Sequence, residues 1–481
     1  MKHILDFLNN VKNIKPILNE IEKKGGVSYL VGGSVRDLLL AKPVKDFDIE
    51  VHKISLEELK KCLENFGEVK FVGQQFGVLK LINKKDSKIL PIDIDWSLPR
   101  KDSLGRKPKV EIDPDMTIEQ ACRRRDLTIN AMAINLNDLI GSESISDLGS
   151  IKIIDPYGGQ KDLKNKILRA VDEDLFLQDP LRFFRVMQFI GRFEMTPDEN
   201  LNKICKSMSF KDLETDKVLS KERIYTEIQK LFLKSERPSL GFRWLKKINR
   251  LKDIFPELYD LVRVKQRKDY HPEGDVFEHT MQCFDAAAIF DKYENESEKF
   301  AIMLAVLCHD LGKPQTTDEE LHSFAHEKTG EKIAKKFLKR FIINKELIEF
   351  ACKLVFYHVR PGLLIEQKAG LKAYKKLAAK LSPQISMRQL AILALADWQG
   401  RNQKSSEPLK MVGVEKYNLF LQRAKEAQVE HEAEKPVLLG RHLLGIVKPG
   451  PEMGKFLKKA YEIQIEENIK DVEELKKRAL K

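Results

Sequence analysis

The segment that most constrains the fold is 27–51, where an apolar strand, a glycine pair and a short helix lead into a strand of alternating acidic and apolar residues. Gly32 and Gly33 separate the first strand from the helix, so the backbone there can approach a phosphate group closely. The start of the helix offers free N–H donors and the positive end of its dipole. Arg36 could add a charge-assisted contact to a triphosphate. By itself, a glycine pair more often marks an ordinary turn.

Two carboxylates follow on the alternating strand. Asp46 and Asp48 are separated by one residue, and alternate residues of a strand point to the same face. Their charges repel each other unless a divalent cation lies between them, and Mg²⁺ prefers such oxygen ligands. An isolated acidic pair is usually a solvated strand edge. Behind a glycine-rich strand–turn–helix, the pair indicates a catalytic magnesium site at which two metals assist transfer to or from a phosphate.

A third carboxylate is expected on a later strand, which contains Asp93 and Asp95 on one face. Asp95 is the preferred catalytic candidate because it lies next to the point where the sheet gives way to a polar segment. That segment, 99–120, contains three prolines and one glycine among many charges, and it predicts a long mobile loop.

The period of the apolar residues changes along the chain. Residues 1–24 predict an amphipathic helix, with Ile4, Leu5, Leu8 and Val11 at helical spacing. Further strands are predicted at 69–72, 77–82 and 89–96, whereas helical patterns dominate from about residue 160. We therefore predict an α+β fold, in which a mixed β-sheet with helices precedes all-α regions. For 481 residues several domains are expected. The predicted divisions are a sheet-containing head, a helical neck, a helical unit rich in His and Asp, and a helical tail: 1–150, 151–265, 266–400 and 401–481.

Charge and cysteine content limit the class of protein. Lys and Arg exceed Asp and Glu by 85 − 73 = 12. This favours an anionic partner such as nucleic acid, although a lysine-rich surface would explain it equally well. The six cysteines form no C-x-x-C pair, which fits reduced thiols better than a disulfide framework or a zinc knuckle. No apolar stretch is long enough to span a bilayer, so we expect a cytoplasmic protein without a membrane partner.

Several separated motifs occur in an order that is typical of one family. They run over the first half of the chain, at 29–52, 91–100, 123–134, 176–193 and 220–232. Together they resemble the nucleotidyltransferase superfamily and, within it, the bacterial-type (class II) CCA-adding enzymes and their poly(A) polymerase relatives. The resemblance implies nucleotide transfer to RNA at Asp46 and Asp48. In the family a mobile loop after the catalytic sheet assists the switch from C to A, and 99–120 has a suitable length.

The motif RRRDLTINAMA at 123–133 lies between the catalytic sheet and the nucleotide pocket in that family. The resemblance implies that Arg124, Arg125 and Asp126 brace the pocket and contact the incoming nucleotide, with Asn130 nearby. From the residues alone, three adjacent arginines could equally be a patch that steers phosphates.

The motif QDPLRFFRVMQF at 178–189 resembles the helix that replaces a template in this family. Asp179 and Arg182 are three residues apart and share a side of a helix, so an acceptor and a donor could together satisfy the edge of cytosine or adenine. Arg185, one turn later, could also reach the nucleotide. A surface ion pair is the structural alternative. Arg223 and Glu227 match a later helical motif of the family. An i,i+4 ion pair is sufficient to explain their presence, so we assign them no catalytic role.

The second half of the chain contains an adjacent imidazole and carboxylate, His309 and Asp310, which can both reach one metal. His279 and Asp397, on other helices, complete a ligand set that resembles the HD phosphohydrolase superfamily. With nitrogen and oxygen ligands, Ni²⁺, Mn²⁺, Co²⁺ and Mg²⁺ all remain open. Further candidates for a second metal or for phosphate contacts, which could also be ordinary core or surface residues, are His326, His358 and Lys313.

The resemblance implies template-independent addition of CCA to the 3′ end of tRNA from CTP and ATP. It assigns catalysis to the head, nucleotide selection and RNA binding to the neck, an accessory phosphohydrolase to the third region and a tRNA contact to the tail. The nearest alternatives are a poly(A) polymerase and an enzyme that adds only CC or only A. Alternatives of another class are a metal-dependent phosphohydrolase with an RNA-binding front half and a catalytically silent tRNA-binding protein.

Overall fold

The computed structural model describes residues 2–44, 46–72, 77–83, 93–102, 110–141, 150–210 and 219–481. The chain divides into two compact units, Met1–Ile224 and Tyr225–Lys481. The first contains the sheet and the second is helical in its described residues, which confirms the predicted α+β class. The finer division at 150, 265 and 400 stays a prediction.

The first unit is built on a mixed sheet. The strands are β1 (Val27–Val31), β2 (Asp46–His52), β3 (Gly67–Val72), β4 (Val78–Asn83), β5 (Asp93–Ser97), β6 (Arg100–Asp102), β7 (Val110–Ile112), β8 (Ala133–Asn135), β9 (Ile153–Ile154), β10 (Ile167–Leu168) and β11 (Thr196–Pro197). Seven of them form one sheet in the order β3-β4-β5-β2-β1-β8-β9. β2 and β5 are parallel, whereas β1 runs antiparallel to β2 and β4 antiparallel to β5. Two strands that carry acidic residues are therefore neighbours.

The helices of the first unit cover this sheet and extend from it. They are α1 (Lys2–Lys23), α2 (Gly33–Leu39), α3 (Leu56–Glu64), α4 (Ile118–Arg123), α5 (Leu136–Gly141), α6 (Gly159–Lys164), α7 (Glu173–Leu177), α8 (Leu181–Phe193), α9 (Glu199–Ser207) and α10 (Lys221–Lys234), whose last residues belong to the second unit. A 3-10 helix spans Thr128–Asn130.

The N-terminal helix α1 is present as predicted, and Ile4, Leu8 and Val11 of the predicted stripe pack on the core, whereas Leu5 does not. Leu5 is 54% exposed, whereas Phe7, Val11, Ile14 and Leu18 are buried in the core of the sheet. These four residues follow the helical period as well as the predicted stripe does. The period alone therefore identifies the helix, and packing on the sheet decides which residues it buries.

The polar segment 99–120 contains regular structure that its composition did not predict. β6 and β7 pair as an antiparallel ribbon, in which Arg100 faces Ile112. Thr117 then caps α4 through a hydrogen bond from the backbone N–H of Gln120 to its hydroxyl at 3.3 Å. The prediction of a long mobile loop is therefore wrong for the described parts of 99–120 and stays a prediction for 103–109, which lie outside the described part of the chain.

The second unit is a helical assembly. Its helices are α11 (Ser239–Lys247), α12 (Leu251–Ile254), α13 (Pro256–Tyr259), α14 (Val276–Ala288), α15 (Glu296–Cys308), α16 (Lys313–Thr316), α17 (His326–Leu338), α18 (Lys345–Tyr357), α19 (Arg360–Glu366), α20 (Leu371–Leu381), α21 (Met387–Gln399), α22 (Val414–Glu426), α23 (Pro451–Glu467) and α24 (Val472–Leu480). α14 packs against α15 and α21, and α15 also packs against α18. Asp275, Asn295 and Ser386 cap α14, α15 and α21, because each side chain accepts a hydrogen bond from a backbone N–H of the first turn.

The end of the chain has its own small core. Buried residues of α23 and α24 pack with Leu438 and Leu443, which precede them. All six cysteines of the chain are buried free thiols. Within the described ranges, no helix combines the length and apolar character that crossing a bilayer requires.

Candidate functional site

The glycine turn is tied directly to the acidic strand. The hydroxyl of Ser34, at the start of α2, donates to the carbonyl oxygen of Asp46 at 2.9 Å and lies 3.3 Å from the backbone nitrogen of Asp48, whose N–H it accepts. Gly32 has a φ of 69°, and a Cβ there would lie 2.5 Å from Nη1 of Arg125. The backbone conformation therefore favours glycine, which also leaves room for the end of the Arg125 side chain.

The carboxylates of β2 share one face. Asp46 and Asp48 are exposed, while the intervening Phe47 and the following Ile49 are buried. The parallel register places Asp48 opposite Asp95 and Asp46 opposite Asp93, whose side chain lies outside the described part of the structure. Two acidic strands thus present their carboxylates at the same edge.

A cleft of about 280 Å³ opens at this edge. Three acidic and three basic side chains are among those that line it: Asp48, Glu50, Asp95, Arg100, Arg124 and Arg125. A substrate with several phosphate groups fits such a mixed lining, because cations can bind the phosphates while the carboxylates bind metal ions. Arg124 and Arg125 thus lie where nucleotide contacts are predicted.

The carboxylates of the cleft lie close enough to affect one another. Partial burial raises the pKa of Asp48, and the charges of Asp95 and Asp46 add to this rise against the opposing effect of Arg125. Oδ1 of Asp95 is shielded from solvent and accepts no hydrogen bond from the described residues; Nζ of Lys80 lies 3.6 Å away. Oxygen donors with unfilled acceptor capacity fit a divalent cation such as Mg²⁺.

Glu50 is a member of this site that the sequence analysis did not include. Its Oε2 lies 3.5 Å from Nη2 of Arg125, and its Oε1 lies 3.0 Å from Nε2 of His52. Nδ1 of His52 faces the carbonyl oxygen of Met116 at 2.8 Å. Burial alone would raise the pKa of Glu50, but His52 and Arg125 lower it.

Arg36, Asp126 and Asn130 form a buried network rather than part of the cleft lining. Nη1 of Arg36 donates to Oδ1 of Asn130 at 2.5 Å, and Nδ2 of Asn130 donates to Oδ1 of Asp126 at 2.9 Å. Nε of Arg185 lies 2.9 Å from the other oxygen of Asp126. Burial alone would raise the pKa of Asp126, but Arg185 and Asn130 lower it. This network links the glycine turn to α8, so these side chains position the site.

The predicted base-selecting pair is arranged differently from an i,i+3 ion pair. α8 begins at Leu181, so Asp179 precedes the helix. Both carboxylate oxygens of Asp179 lie 3.0 Å from Nη2 of Arg223. Arg182 instead donates to the carbonyl oxygens of Leu175 and Arg124, at 2.9 and 2.7 Å.

Arg223 and Glu227 each pair with a residue other than the expected i,i+4 partner. Glu227 is buried and accepts a hydrogen bond from Nζ of Lys230 at 2.8 Å. Arg223 is about half exposed and pairs with Asp179, a residue 44 positions earlier. The spacing of residues within α10 could not predict that Asp179, on another element, is the partner of Arg223.

In the second unit, the four predicted metal ligands come together. Nε2 of His279 lies 3.0 Å from Oδ1 of Asp397 and 3.8 Å from Oδ2 of Asp310. Nε2 of His309 lies 3.3 Å from the same oxygen of Asp310. His279, His309 and Asp310 are buried at the ends of α14 and α15, where the helix packing brings them together.

His326 and His358 lie near the second carboxylate oxygen of Asp310, Oδ1. Their Nε2 atoms lie 3.5 and 3.9 Å from Oδ1 of Asp310. Burial lowers the pKa of His358 to about 3, so its imidazole is neutral, which is the form that binds metals. Lys313 is committed to protein partners, since its Nζ lies 2.7 Å from Oδ2 of Asp310 and from Oε1 of Gln266.

The imidazoles are oriented as metal ligands usually are. Nδ1 of His309 lies 2.7 Å from the carbonyl oxygen of Val306, and Nδ1 of His358 lies 2.7 Å from that of Val355. These contacts place the proton on Nδ1 and leave Nε2 with a lone pair. A donor set of imidazoles and carboxylates fits a divalent transition metal.

Two more residues at this site were missed from the sequence. Oε1 of Glu273 lies 2.7 Å from Nδ1 of His279 and 3.0 Å from Nδ1 of His271, so it orients the first metal-binding imidazole. Nη2 of Arg401 lies 3.5 Å from Oδ1 of Asp397. For Glu273, its place six residues before His279 in a polar turn was the available signal.

Two regions of the chain match known families. Residues 28–169 match the Poly A polymerase head domain and residues 276–398 match the HD domain. A multifunctional CCA protein of Mannheimia succiniciproducens is 33% identical over 420 residues, which cover 85% of this chain and 93% of that protein. The chain belongs to the multifunctional CCA protein family. It is therefore an enzyme, a tRNA nucleotidyltransferase.

Two solved structures share the fold of this CCA protein family member. An apo CCA-adding enzyme has a TM-score of 0.61 and 20% identity, with coverage of 99% of this chain and 95% of that chain. The Thermotoga maritima CCA-adding enzyme complexed with tRNA has a TM-score of 0.55 and 21% identity, with coverage of 96% and 93%. These structures support the arrangement of the elements in each unit.

The two predicted metal-binding motifs of this CCA protein fall inside the two matched regions. Asp46, Asp48 and Asp95 lie within 28–169. The four HD ligands, from His279 to Asp397, lie within 276–398. The acidic motif thus lies in the region that matches the Poly A polymerase head domain, and the His and Asp motif lies in the region that matches the HD domain. The roles of the individual residues stay predictions.

Proposed function

We propose that this protein adds CCA to the 3′ end of tRNA in the cytoplasm, using CTP and ATP, at the cleft that Asp48 and Asp95 line, with Asp46 on the same face of β2 as Asp48. The observation that carries this proposal is the shared outward face of Asp46 and Asp48 beside the parallel strand of Asp95. The name of the Mannheimia relative, a multifunctional CCA protein, supports CCA as the added sequence.

The acidic and the basic residues of the cleft have different roles. Mg²⁺ ions at the carboxylates would supply activation of the attacking hydroxyl and stabilisation of the leaving pyrophosphate. Arg100, Arg124 and Arg125 line the same cleft and bind the triphosphate. Gly32 allows Arg125 to approach the turn, and the Ser34 hydroxyl keeps that turn against the acidic strand.

Base selection is assigned to Asp179 and Arg182. The carboxylate of Asp179 is an acceptor held by Arg223, and Arg182 is held by two backbone carbonyls. Fixed acceptors and donors can discriminate a base without a template, because an unmatched base leaves polar groups unpaired. Arg185, through Asp126, keeps α8 beside the arginine motif.

The decisive experiment offers purified protein three tRNA transcripts, which lack CCA, CA or only the terminal A, with one nucleotide at a time. CCA addition predicts incorporation of C on the first two and of a single A on the third. A poly(A) polymerase would extend with ATP repeatedly on any end. An enzyme that adds only CC would leave the third transcript unchanged, and a silent RNA-binding protein would release no pyrophosphate.

We also propose that the HD site is a metal-dependent phosphohydrolase acting on phosphate esters at RNA ends. The cluster of four imidazoles, whose Nε2 atoms lie 3.3–3.9 Å from the carboxylate oxygens of Asp310, supports this proposal. His309→Ala should abolish hydrolysis of a 2′,3′-cyclic nucleotide and leave CCA addition intact, whereas Asp46→Ala should do the reverse. Loss of both activities in either variant would argue against two independent sites.

A further inference from the structure

One sulfur atom lies among the nitrogen and oxygen donors of the HD site. Cys283 follows His279 by four residues on α14, so the two side chains share a face of the helix. Sγ of Cys283 lies 3.4 Å from Nε2 of His279. Ligand atoms of Cys283, His279, His309 and Asp397 all lie within 4.8 Å of one another. This distance is short enough for one ion to contact all four.

A second observation, independent of the sulfur, points to a cation here. His309 is 1% exposed and its Nδ1 faces the carbonyl oxygen of Val306 at 2.7 Å. Its Nε2 is buried and makes no hydrogen bond within the described residues, and the nearest ion-pair oxygen, Oδ2 of Asp310, lies 3.3 Å away. A buried imidazole lone pair without a donor is costly unless a cation binds it.

The backbone at the end of α21 fixes the position of the thiol. A Cβ at Gly400 would lie 2.3 Å from Sγ of Cys283, so glycine at this position leaves room for the sulfur. The carbonyl oxygen of the same glycine lies 2.9 Å from Nδ1 of His279. One backbone segment therefore holds both the first imidazole and the sulfur.

We propose that Sγ of Cys283 is a ligand of the HD-site metal, together with His279, His309 and Asp397. This inference rests on the proposed metal-dependent function of that site. When the metal binds, the S–H bond of Cys283 breaks, a sulfur–metal bond forms and the proton passes to solvent; no electron is transferred. A thiolate ligand disfavours Mg²⁺ and favours softer ions such as Co²⁺ and Zn²⁺.

The test uses Co²⁺ as the probe in the full chain, with Asp46→Ala and Asp48→Ala introduced so that the ion binds only at the HD site. We expect visible cobalt bands together with a near-ultraviolet sulfur-to-cobalt charge-transfer band. Cys283→Ala should lose the charge-transfer band and keep the visible bands. Cys352→Ala, which removes another buried thiol of the same unit, should keep both.

A second measurement counts protons. Titration with Co²⁺ in weakly buffered solution with an indicator dye should release one proton fewer per site from Cys283→Ala than from its parent. Visible bands without a charge-transfer band in the parent protein, or a charge-transfer band that survives in Cys283→Ala, would overturn the sulfur ligand alone. Failure of the parent protein to bind Co²⁺ would overturn both this inference and the proposed metal site. Circular dichroism establishes that each variant is folded.

Discussion

The Nε2 atoms of His326 and His358 lie 3.1 Å apart. Nδ1 of His326 faces the carbonyl oxygen of Ser323 at 2.8 Å, and Nδ1 of His358 faces that of Val355 at 2.7 Å. Both rings therefore carry their proton on Nδ1, and two lone pairs point at each other. This approach is favourable when one cation binds both nitrogens.

Removal of divalent metal should destabilise the protein. An ion that binds only the folded state at a concentration of 100 times its Kd contributes about 2.7 kcal/mol. We therefore expect the Tm to fall after dialysis against a chelator and to recover when Co²⁺ or Mn²⁺ is restored. His326→Asn should reduce the recovery, whereas His431→Asn, which changes an exposed histidine, should not. A Tm that is independent of metal in the parent protein would contradict the prediction.

Asp48→Asn should reduce nucleotide incorporation by more than about 100-fold, because loss of partners that merely orient metal ligands already costs 10- to 100-fold. The substitution removes the charge and keeps the shape of the side chain. HD-site hydrolysis measured on the same preparation should be unchanged. Glu68→Gln, which neutralises an exposed carboxylate on β3 of the same sheet, is the matched control and should retain incorporation. Full incorporation by Asp48→Asn would exclude this carboxylate from catalysis.

The acidic pair of β2 was predictable because the strand period fixes the face of each side chain without any knowledge of tertiary structure. The same period places Glu50 on that face, yet its role depends on Arg125 and His52, which only the fold brings near. His309 and Asp310 were predictable as adjacent residues, while Glu273 acts through a contact with His279 that no simple spacing encodes.

The pairing of Asp179 with Arg223 could not be predicted for a related reason. The two residues are 44 positions apart and lie on different elements, so local helix spacing offered Arg182 and Glu227 as nearer partners. Likewise the helical period of α1 revealed the helix but not that Phe7, rather than Leu5, faces the sheet. Local patterns give element types and shared faces; partners between elements require the packed chain.

Glu50→Gln should weaken binding of the triphosphate rather than the chemical step. The variant keeps a hydrogen bond to His52 and removes the charge that holds Arg125. A hydrogen bond to a charged group contributes roughly 1.5–3 kcal/mol, so a rise of about tenfold or more in KM for CTP and ATP is expected. Steady-state kinetics should show kcat nearly unchanged. An equal fall in kcat would indicate that Glu50 acts on the reaction itself, and Glu64→Gln, on exposed α3, serves as the control.

Arg223→Ala should relax the choice of nucleotide. Without this guanidinium the carboxylate of Asp179 keeps the hydrogen bond from the backbone N–H of Leu181 at 3.1 Å but loses the contact that holds both of its oxygens. A well-placed base contact provides about 1–3 kcal/mol of discrimination. The ratio of kcat/KM for CTP to that for UTP should therefore fall by about tenfold or more. Lys234→Ala, a change on the same helix away from Asp179, should leave the ratio unchanged. An unaltered ratio in Arg223→Ala would show that the ion pair does not contribute to selection.

The buried ion pair of Glu298 and Arg388 should make the second unit sensitive to acid. Burial alone would raise the pKa of Glu298, but the hydrogen bond from Arg388 and its neighbours lowers it below the ordinary 4.5. A carboxyl group whose pKa is lowered by folding stabilises the protein above its unfolded pKa, and this stabilisation is lost as the pH falls through the folded value.

Glu298→Gln tests this pair. The substitution should cost about 3 kcal/mol at neutral pH, because Arg388, only 12% exposed, loses its buried partner. As the pH falls below 4.5 and then through the lowered folded pKa of Glu298, the difference from the parent protein should shrink, because Glu298 becomes protonated first in the unfolded state and then in the folded state. Urea unfolding across pH 3–7 measures both effects, and Glu296→Gln, on the exposed start of α15, should show neither. A penalty that stays constant over this pH range would mean that Glu298 stabilises the unit by packing, not by charge.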